Sequence, residues 1–364
     1  MSKSIKKKPI EIITLPIQRF MRQEKSGGIV LGISVILALY LANSQWSDAY
    51  HHVLEHSLGF TWDNEIHFNF NLHHWINDGL MAVFFFVVGL ELKREIIAGE
   101  LSNPRKAILP IVAALGGMIV PALIYLYLNP IGEVHQGWGI PMATDIAFAL
   151  GVLYLLGSRI PLTLKVFLTA LAIVDDLGAV LVIAFFYTSE ISTYYLIIGG
   201  FVLLIMYLGN RIGIRSVLFY AILGIGGVWS TFVLSGVHAT IAAVLAAFTI
   251  PADVKINERI FSEKIKRSLE RFNSLDPNNS ELTLTHEQLH YIEKINKATI
   301  AATPVLQRLE HAMHPMVTFI IIPIFALANA GVSLNIDMEH LFSTNIALGV
   351  ALGLLVGKVV GIVG

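Results

Sequence analysis

Apolar residues along this chain fall into long blocks joined mostly by short polar stretches, the pattern of membrane-spanning helices. The blocks predict about ten spans: Gly28–Asn43, His74–Leu92, Ala107–Leu128, Gly137–Leu156, Leu162–Tyr187, Thr193–Leu208, Val217–Leu234, Gly236–Ile250, Pro315–Leu334 and Asn345–Gly364. The expected fold class is an all-α polytopic membrane protein. Residues 1–27 carry Lys3, Lys6, Lys7, Lys8, Arg19, Arg22 and Lys25 among isoleucines and leucines, as a basic amphipathic helix on a membrane surface does. Residues 28–250 form a first membrane part with an outer loop at 44–72, where TWDNEIHFNF alternates as a strand or hairpin. A polar insertion at 251–310 holds two stretches of helical spacing split by the turn-rich SLDPNNS, and 311–364 returns to the membrane.

Charge gives this arrangement a direction. Lys and Arg concentrate on the cytoplasmic side of membrane proteins. With the N-terminus inside, the inner segments hold Lys93, Arg94, Arg105, Lys106, Arg159, Lys165, Arg211, Arg215 and the basic insertion, while the outer loops hold none. Lys358 alone departs from the inner side. The composition agrees: 55% hydrophobic and 14% charged residues, with a mean hydropathy of +0.68. A net charge of −1 argues against a nucleic-acid partner, and the absence of cysteine removes disulfides and thiolate metal sites. His51, His52, His56, His67, His73 and His74 match no metal-ligand pattern and read as a solvated loop.

The chemistry gathers in LKVFLTALAIVDDLGAVLVIAFFY, where Asp175 and Asp176 lie roughly 18 Å along the helix, near the middle of a hydrocarbon core about 30 Å thick. Each carboxylate at that depth costs about 2.5–3.5 kcal/mol, so intramembrane acids are functional by default. In GWGIPMATDIAFALGVL, Pro141 lacks a backbone donor and Gly137 and Gly139 loosen the turn, which predicts a break near Met142–Asp145. A broken span exposes helix ends and carbonyls, so Thr144 and Asp145 add oxygen ligands at this level. Lys358 reaches the middle third from the other side. The two aspartates point about 100° apart, letting one face Lys358 and the other a cavity. Hard oxygen ligands suit a small hard cation such as Na+, held by Asp175 and Asp176, and burial makes protons compete for the same oxygens.

At these residues the chain resembles the NhaA-type sodium/proton antiporters. The resemblance is carried by NDGLMAVFFFVVGLELKRE (77–95), PMATDIAFALGVL (141–153), LTALAIVDDLGAV (168–180), SGVHATIAAV (235–244), LEHAMHP (309–315), FALANAGVSL (325–334) and GKVVGI (357–362). It implies an inverted-repeat fold with broken transmembrane helices in a bacterial inner membrane. It implies electrogenic exchange of Na+ or Li+ for H+, with Asp176 and Asp175 as binding carboxylates, Lys358 as the partner of Asp175, and no cofactor beyond the transported ions. It also maps a pH response onto Glu91, Arg94, Glu95, Glu310, His311 and His314 at the inner mouth, with His238 implicated. Such proteins have twelve spans, so the chain is expected to be a truncated version that does not exchange ions alone.

Other classes fit less well. The GxGD pattern of membrane aspartyl proteases and the GxSG of rhomboid proteases are absent, and a single DD supplies half of a prenyl-transferase site. A sodium-coupled transporter of an organic substrate remains the alternative, and a passive proton pathway is a third. Lipid is the expected surround, and the exposed edge of the 61–70 hairpin offers a contact for a homodimer.

Overall fold

The computed structural model describes residues 25–62, 66–142, 160–187, 191–275, 283–334 and 345–364. The basic segment 1–24 lies outside them.

The first helix, α1 (Lys25–Ala42), has Ile33, Ile36 and Tyr40 60% or more exposed. A helix apolar on its outer face is accommodated by a hydrocarbon surround. After a 110° bend comes α2 (Ser47–Glu55), a helix where a loop was expected. Its aromatic and histidine residues follow Trp46 without a breaker before Ser57. Strands β1 (Ser57–Trp62) and β2 (Ile66–Asn71) then pair antiparallel, with Ser57 opposite Asn71 and Trp62 opposite Ile66. The alternation over 61–70 therefore marks a real hairpin, whose first strand begins earlier than expected, at Ser57.

A π-helical stretch, Trp75–Leu80, leads directly into α3 (Met81–Ala98). Next is α4 (Pro104–Leu128), opened by Asn103, whose side chain accepts from the Arg105 amide at 3.1 Å, with Pro104 at the first helical position. The following stretch is 3-10 helix over Glu133–Met142. The expected α-helical start at Gly137 is thus corrected: two glycines and Pro141 favour the tighter, shorter-range turn. Residues 143–159 are outside the described set, so the expected break over Met142–Asp145 is not described, nor are Thr144 and Asp145.

Beyond it lie α5 (Leu162–Phe186), α6 (Thr193–Ile212) and α7 (Val217–Ser235), the last π-helical over Ile222–Trp229. Helix α7 stops at Gly236, which adopts a φ of +80°, a conformation natural to glycine. Helix α8 (Ala239–Thr249) has only 11 residues. At 1.5 Å per residue that is about 16 Å, too short to cross a hydrocarbon core of about 30 Å, so the expected span Gly236–Ile250 is not one full helical crossing.

Two polar helices, α9 (Glu258–Leu275) and α10 (His286–Ala302), pack against each other. Thr285 and Gln288 close a reciprocal cap at the start of α10. The feet of this hairpin are tied, since the Lys255 and Ile256 amides both donate to the Ala301 carbonyl and the Leu306 amide donates to Pro251. Helices α11 (Val305–Asn329) and α12 (Asn345–Val363) complete the described chain.

Among the described residues, five helices, α4, α6, α7, α11 and α12, are individually long and apolar enough to cross a membrane, and six crossings result if α1 and α2 form one bent span. The larger core joins Leu90 of α3, Met206 of α6, Tyr220, Val228 and Phe232 of α7, and Ala242, Ala246 and Ala247 of α8. A second body packs α4, α5, the 3-10 segment and α12 around Ala113, Ala114, Leu171, Met118 and Met142.

Candidate functional site

The second body assembles the buried charges. Asp175 sits in the middle of α5 with its side chain 7% exposed, and the Lys358 Nζ donates to its Oδ2 at 2.7 Å. Lys358 also donates to the Met142 carbonyl at 2.6 Å, at the end of the 3-10 segment. Asp176, the next residue, is half-buried. Three elements distant in sequence thus meet at one ammonium: a carboxylate from α5, a carbonyl from the 3-10 segment and the lysine of α12. A buried charge of this kind is tolerated when it is paired and hydrogen-bonded.

Close packing brings Lys358 to this depth. Gly349, Gly353, Gly357 and Gly361 recur every fourth residue and line one face of α12, against α4. A Cβ built on Gly357 would lie 2.8 Å from the Pro121 Cα, and one on Gly353 would lie 2.8 Å from the Pro141 Cβ. Small residues let membrane helices approach backbone to backbone in this way. Immediately before Lys358, α12 is π-helical over Gly353–Gly357. At the far end, Asn129 donates to the Asn345 carbonyl at 3.1 Å and fixes where α12 begins. Tyr125 donates to the Val134 carbonyl at 2.9 Å, and the Tyr187 hydroxyl both donates to the Gln136 carbonyl and accepts from the Gly139 amide, so the 3-10 segment is held to α4 and α5.

Beside the Asp175 pair, α4, α5 and the 3-10 segment line an open apolar groove of about 390 Å3, with Met118, Ala122, Trp138, Met142, Gly178 and Val182 among its walls.

A second cluster forms where α3 meets α11. Arg94 donates to Glu310 at 2.5 Å and to Glu95 at 3.2 Å. Glu91, Glu95 and Glu310 lie within each other's electrostatic reach, with His311 and His314 facing Glu310. The six residues expected at the inner mouth therefore come together. His238, implicated in the same response, stands elsewhere, at the N-terminal end of α8 beside Ala239, which packs on Ala82, whereas the C-terminal end of α8 meets Lys93 near the cluster. The residue spacing from Ala82 to Glu91 on α3 amounts to about 14 Å of helix.

Several residues take roles that their residue type does not announce. Met142 gives the ammonium its backbone carbonyl. Lys93 donates to the Phe248 and Ile250 carbonyls at 2.6 and 2.5 Å, capping the end of α8. Arg215 pairs with Asp253 and accepts, through its carbonyl, from Arg308 at 3.3 Å. The four-residue glycine period around Lys358 is the one sequence signal that could have revealed the seam. Among the described residues, no group of three or more His, Asp or Glu side chains converges to hold a metal ion.

Comparison with known proteins places these features in one lineage. The Na+/H+ antiporter 1 family model matches residues 18–364. The Na(+)/H(+) antiporter NhaA of Oleidesulfovibrio alaskensis is 47% identical over 361 residues, covering 97% of this chain and 78% of the relative. The Na(+)/H(+) antiporter NhaA of Acidithiobacillus ferrooxidans is 50% identical over 356 residues, covering 95% and 80%. The Na(+)/H(+) antiporter NhaA 1 of Saccharophagus degradans is 48% identical over 357 residues, covering 97% and 76%. With a buried acid–lysine pair inside apolar helices and a family match across nearly its whole length, the chain belongs to the Na+/H+ antiporter 1 family of membrane transporters.

Proposed function

We propose that the protein exchanges cytoplasmic Na+ or Li+ for external H+ across a bacterial inner membrane, with its N-terminus in the cytoplasm. The observation that carries this reading is the Lys358–Asp175 ion pair, 2.7 Å long and buried mid-helix, with a second carboxylate at Asp176. In the empty state Lys358 neutralises Asp175. An entering cation takes up Asp175 and Asp176 as hard oxygen ligands, and Thr144 and Asp145 are the further ligands expected from the broken span. Protons arriving from the opposite side compete for the same oxygens and release the cation. Competition at one site, open to either side in turn, couples the two fluxes. Two carboxylates discharging more than one proton per monovalent cation make the cycle electrogenic.

The Arg94–Glu310 contact supports a pH response at the cytoplasmic mouth, because Glu91, Glu95, His311 and His314 surround it and histidine titrates near neutrality. His238 belongs to this response only indirectly, through α8. The β1–β2 hairpin is the proposed contact of a homodimer.

The test is Na+- or Li+-induced proton movement in everted vesicles carrying the full-length protein, wild type beside Asp176→Asn, across about pH 6.5–8.5, where histidines titrate. The wild type is expected to discharge the proton gradient on cation addition and the variant to fail. A wild type indifferent to both cations at every pH would overturn the reading and bring forward coupling to an organic substrate.

A further inference from the structure

Helices α3 and α11 are joined near both ends, by an ion pair at one and by a ring of side chains at the other. The Arg94–Glu310 contact ties the first pair of ends. At the opposite end the Asn329 Oδ1 lies 3.1 Å from the His73 Nε2, the Asn329 Nδ2 donates to the Asn77 Oδ1 at 2.8 Å, and the Asn77 Nδ2 lies 3.3 Å from the His73 Nδ1. We propose that this ring is a proton-opened clasp on the outer side: neutral His73 holds the start of α3 to the end of α11, and a proton taken up by His73 from outside breaks the ring and lets the two ends part. The clasp lies beyond the antiport reading, from which it takes only that this end of the bundle faces out.

The hydrogen-bond roles leave one protonation state that closes the ring. The Asn329 Nδ2 also donates to the Phe325 carbonyl at 2.9 Å, and a carbonyl only accepts, so that end of the amide is its nitrogen. The Asn329 Oδ1 therefore faces His73, whose Nε2 must carry the hydrogen. Asn77 turns its oxygen to Asn329 and so its nitrogen to the His73 Nδ1, which must accept. An imidazole with a hydrogen on Nε2 and a lone pair on Nδ1 is neutral. Protonation puts a second hydrogen on Nδ1, where donor then meets donor. Turning the Asn77 amide over moves the conflict to Asn329, so a charged His73 leaves one of the three links unmade.

The two sides of the clasp are anchored to different partners, so each stays in place when the ring opens. On the α3 side, the Trp75 indole donates to the Leu58 carbonyl at 2.8 Å and the Trp229 indole to the Asp78 carbonyl at 3.2 Å. On the α11 side, the Tyr50 hydroxyl donates to the Leu327 carbonyl at 2.7 Å and the Asn43 side chain to the Val332 carbonyl at 2.9 Å. Asn77 sits in the π-helical stretch Trp75–Leu80, a geometry that recurs at functional sites. His73 is half-buried and Asn329 exposed, so protons from the surrounding water reach the ring. Among the described residues, the acid nearest in sequence, Asp78, is committed to His74 at 3.1 Å. The helix α2 packed on this stretch carries Asp48, His51, His52 and Glu55, with His56 just after it, and the described end of α11 brings no titratable group. Histidine takes up its proton near neutrality, so the clasp opens when external protons, the driving ion of the exchange, are abundant.

Cysteine accessibility tests the clasp. Ile76 is 6% exposed and follows His73 by three positions, on the same face of the helix. Ile76→Cys in the full-length protein, freed of any other cysteine, is labelled in right-side-out vesicles with a membrane-impermeant maleimide at about pH 8 and pH 6, the range over which histidines titrate. Each rate is divided by that of Val332→Cys, at a position 54% exposed, which cancels the pH dependence of the thiol itself. The normalised rate is expected to rise about five-fold from the higher pH to the lower, the effect of one ordinary hydrogen bond on an open–closed equilibrium. Adding His73→Gln is expected to hold it low at both, because that amide donates and accepts as neutral imidazole does and takes up no proton. Adding His73→Leu is expected to keep it high at both, and His73→Gln carries the comparison should the leucine variant fail to fold. A normalised rate unchanged with pH, or a rise that persists in His73→Gln, overturns the clasp. Labelling of both cysteines in everted vesicles alone overturns the orientation taken from the antiport reading, while the pH dependence still judges the clasp.

Discussion

Lys358 stands in direct contact with Asp175, and the energetics of that contact differ from those of a surface salt bridge. Breaking a buried pair by removing one partner typically costs about 3–5 kcal/mol, because the remaining charge keeps its burial and loses its compensation, whereas replacing both partners by apolar groups of similar size is often neutral. Lys358→Met is therefore expected to lower the melting temperature of the purified protein markedly, and Lys358→Met with Asp175→Leu to recover much of the loss while staying inactive in transport. Equal destabilisation by the single and double variants would show that the pair is not coupled in the way its 2.7 Å contact implies. Both members of this pair were legible from the sequence, since a carboxylate and a lysine at mid-span depth each demand a partner. The third member, the Met142 carbonyl, was not. A backbone acceptor has no residue type, and only the meeting of the 3-10 segment with α12 reveals it.

Between elements, the Arg94–Glu310 bond at 2.5 Å ties the end of α3 to α11 and places one cation among three carboxylates. Arg94→Ala removes the cation paired with Glu310 and leaves carboxylates of like charge facing each other. On the proposed pH response, the pH at which antiport switches on is then expected to move to the alkaline side by up to about one unit, with the rate at high pH retained. An unchanged pH profile in vesicles would separate this cluster from the pH response. The family resemblance pointed to these residues, but their convergence depends on α11 continuing as one helix from Val305, well before the apolar run starts at Pro315. The shortness of α8 was not legible either. Its residues are as apolar as those of a full crossing, and the stop arises from the Gly236 turn and from the packing of α8 along α3.

Across the molecule, the bundle divides into the α3–α8 core and the α4–α5–α12 body that holds the charges. The α9–α10 hairpin stands apart from both, and its feet meet in hydrogen bonds from Lys255 and Ile256 to Ala301. Because the ends it spans are already close, replacing 257–300 by a short flexible turn adds little loop-closure cost. The shortened protein is expected to fold and to reach a maximal antiport rate within about two-fold of the full chain, as the loss of a surface element far from a site does. A large loss of rate in vesicles would make the hairpin part of the transport mouth.

The sequence by itself determined that this chain is a helical membrane protein, that Asp175, Asp176 and Lys358 need partners, and which family their surrounding motifs resemble. Those conclusions rest on local quantities, the length of an apolar run and the cost of a charge within it. Only the tertiary structure decided which face of α12 meets α4, that Lys358 bridges Asp175 and Met142, that His238 stands apart from Arg94, and that α8 stops short. These depend on backbone approach distances and side-chain directions, set by which glycine faces which proline across the seam, and no single stretch of sequence contains both sides of that contact.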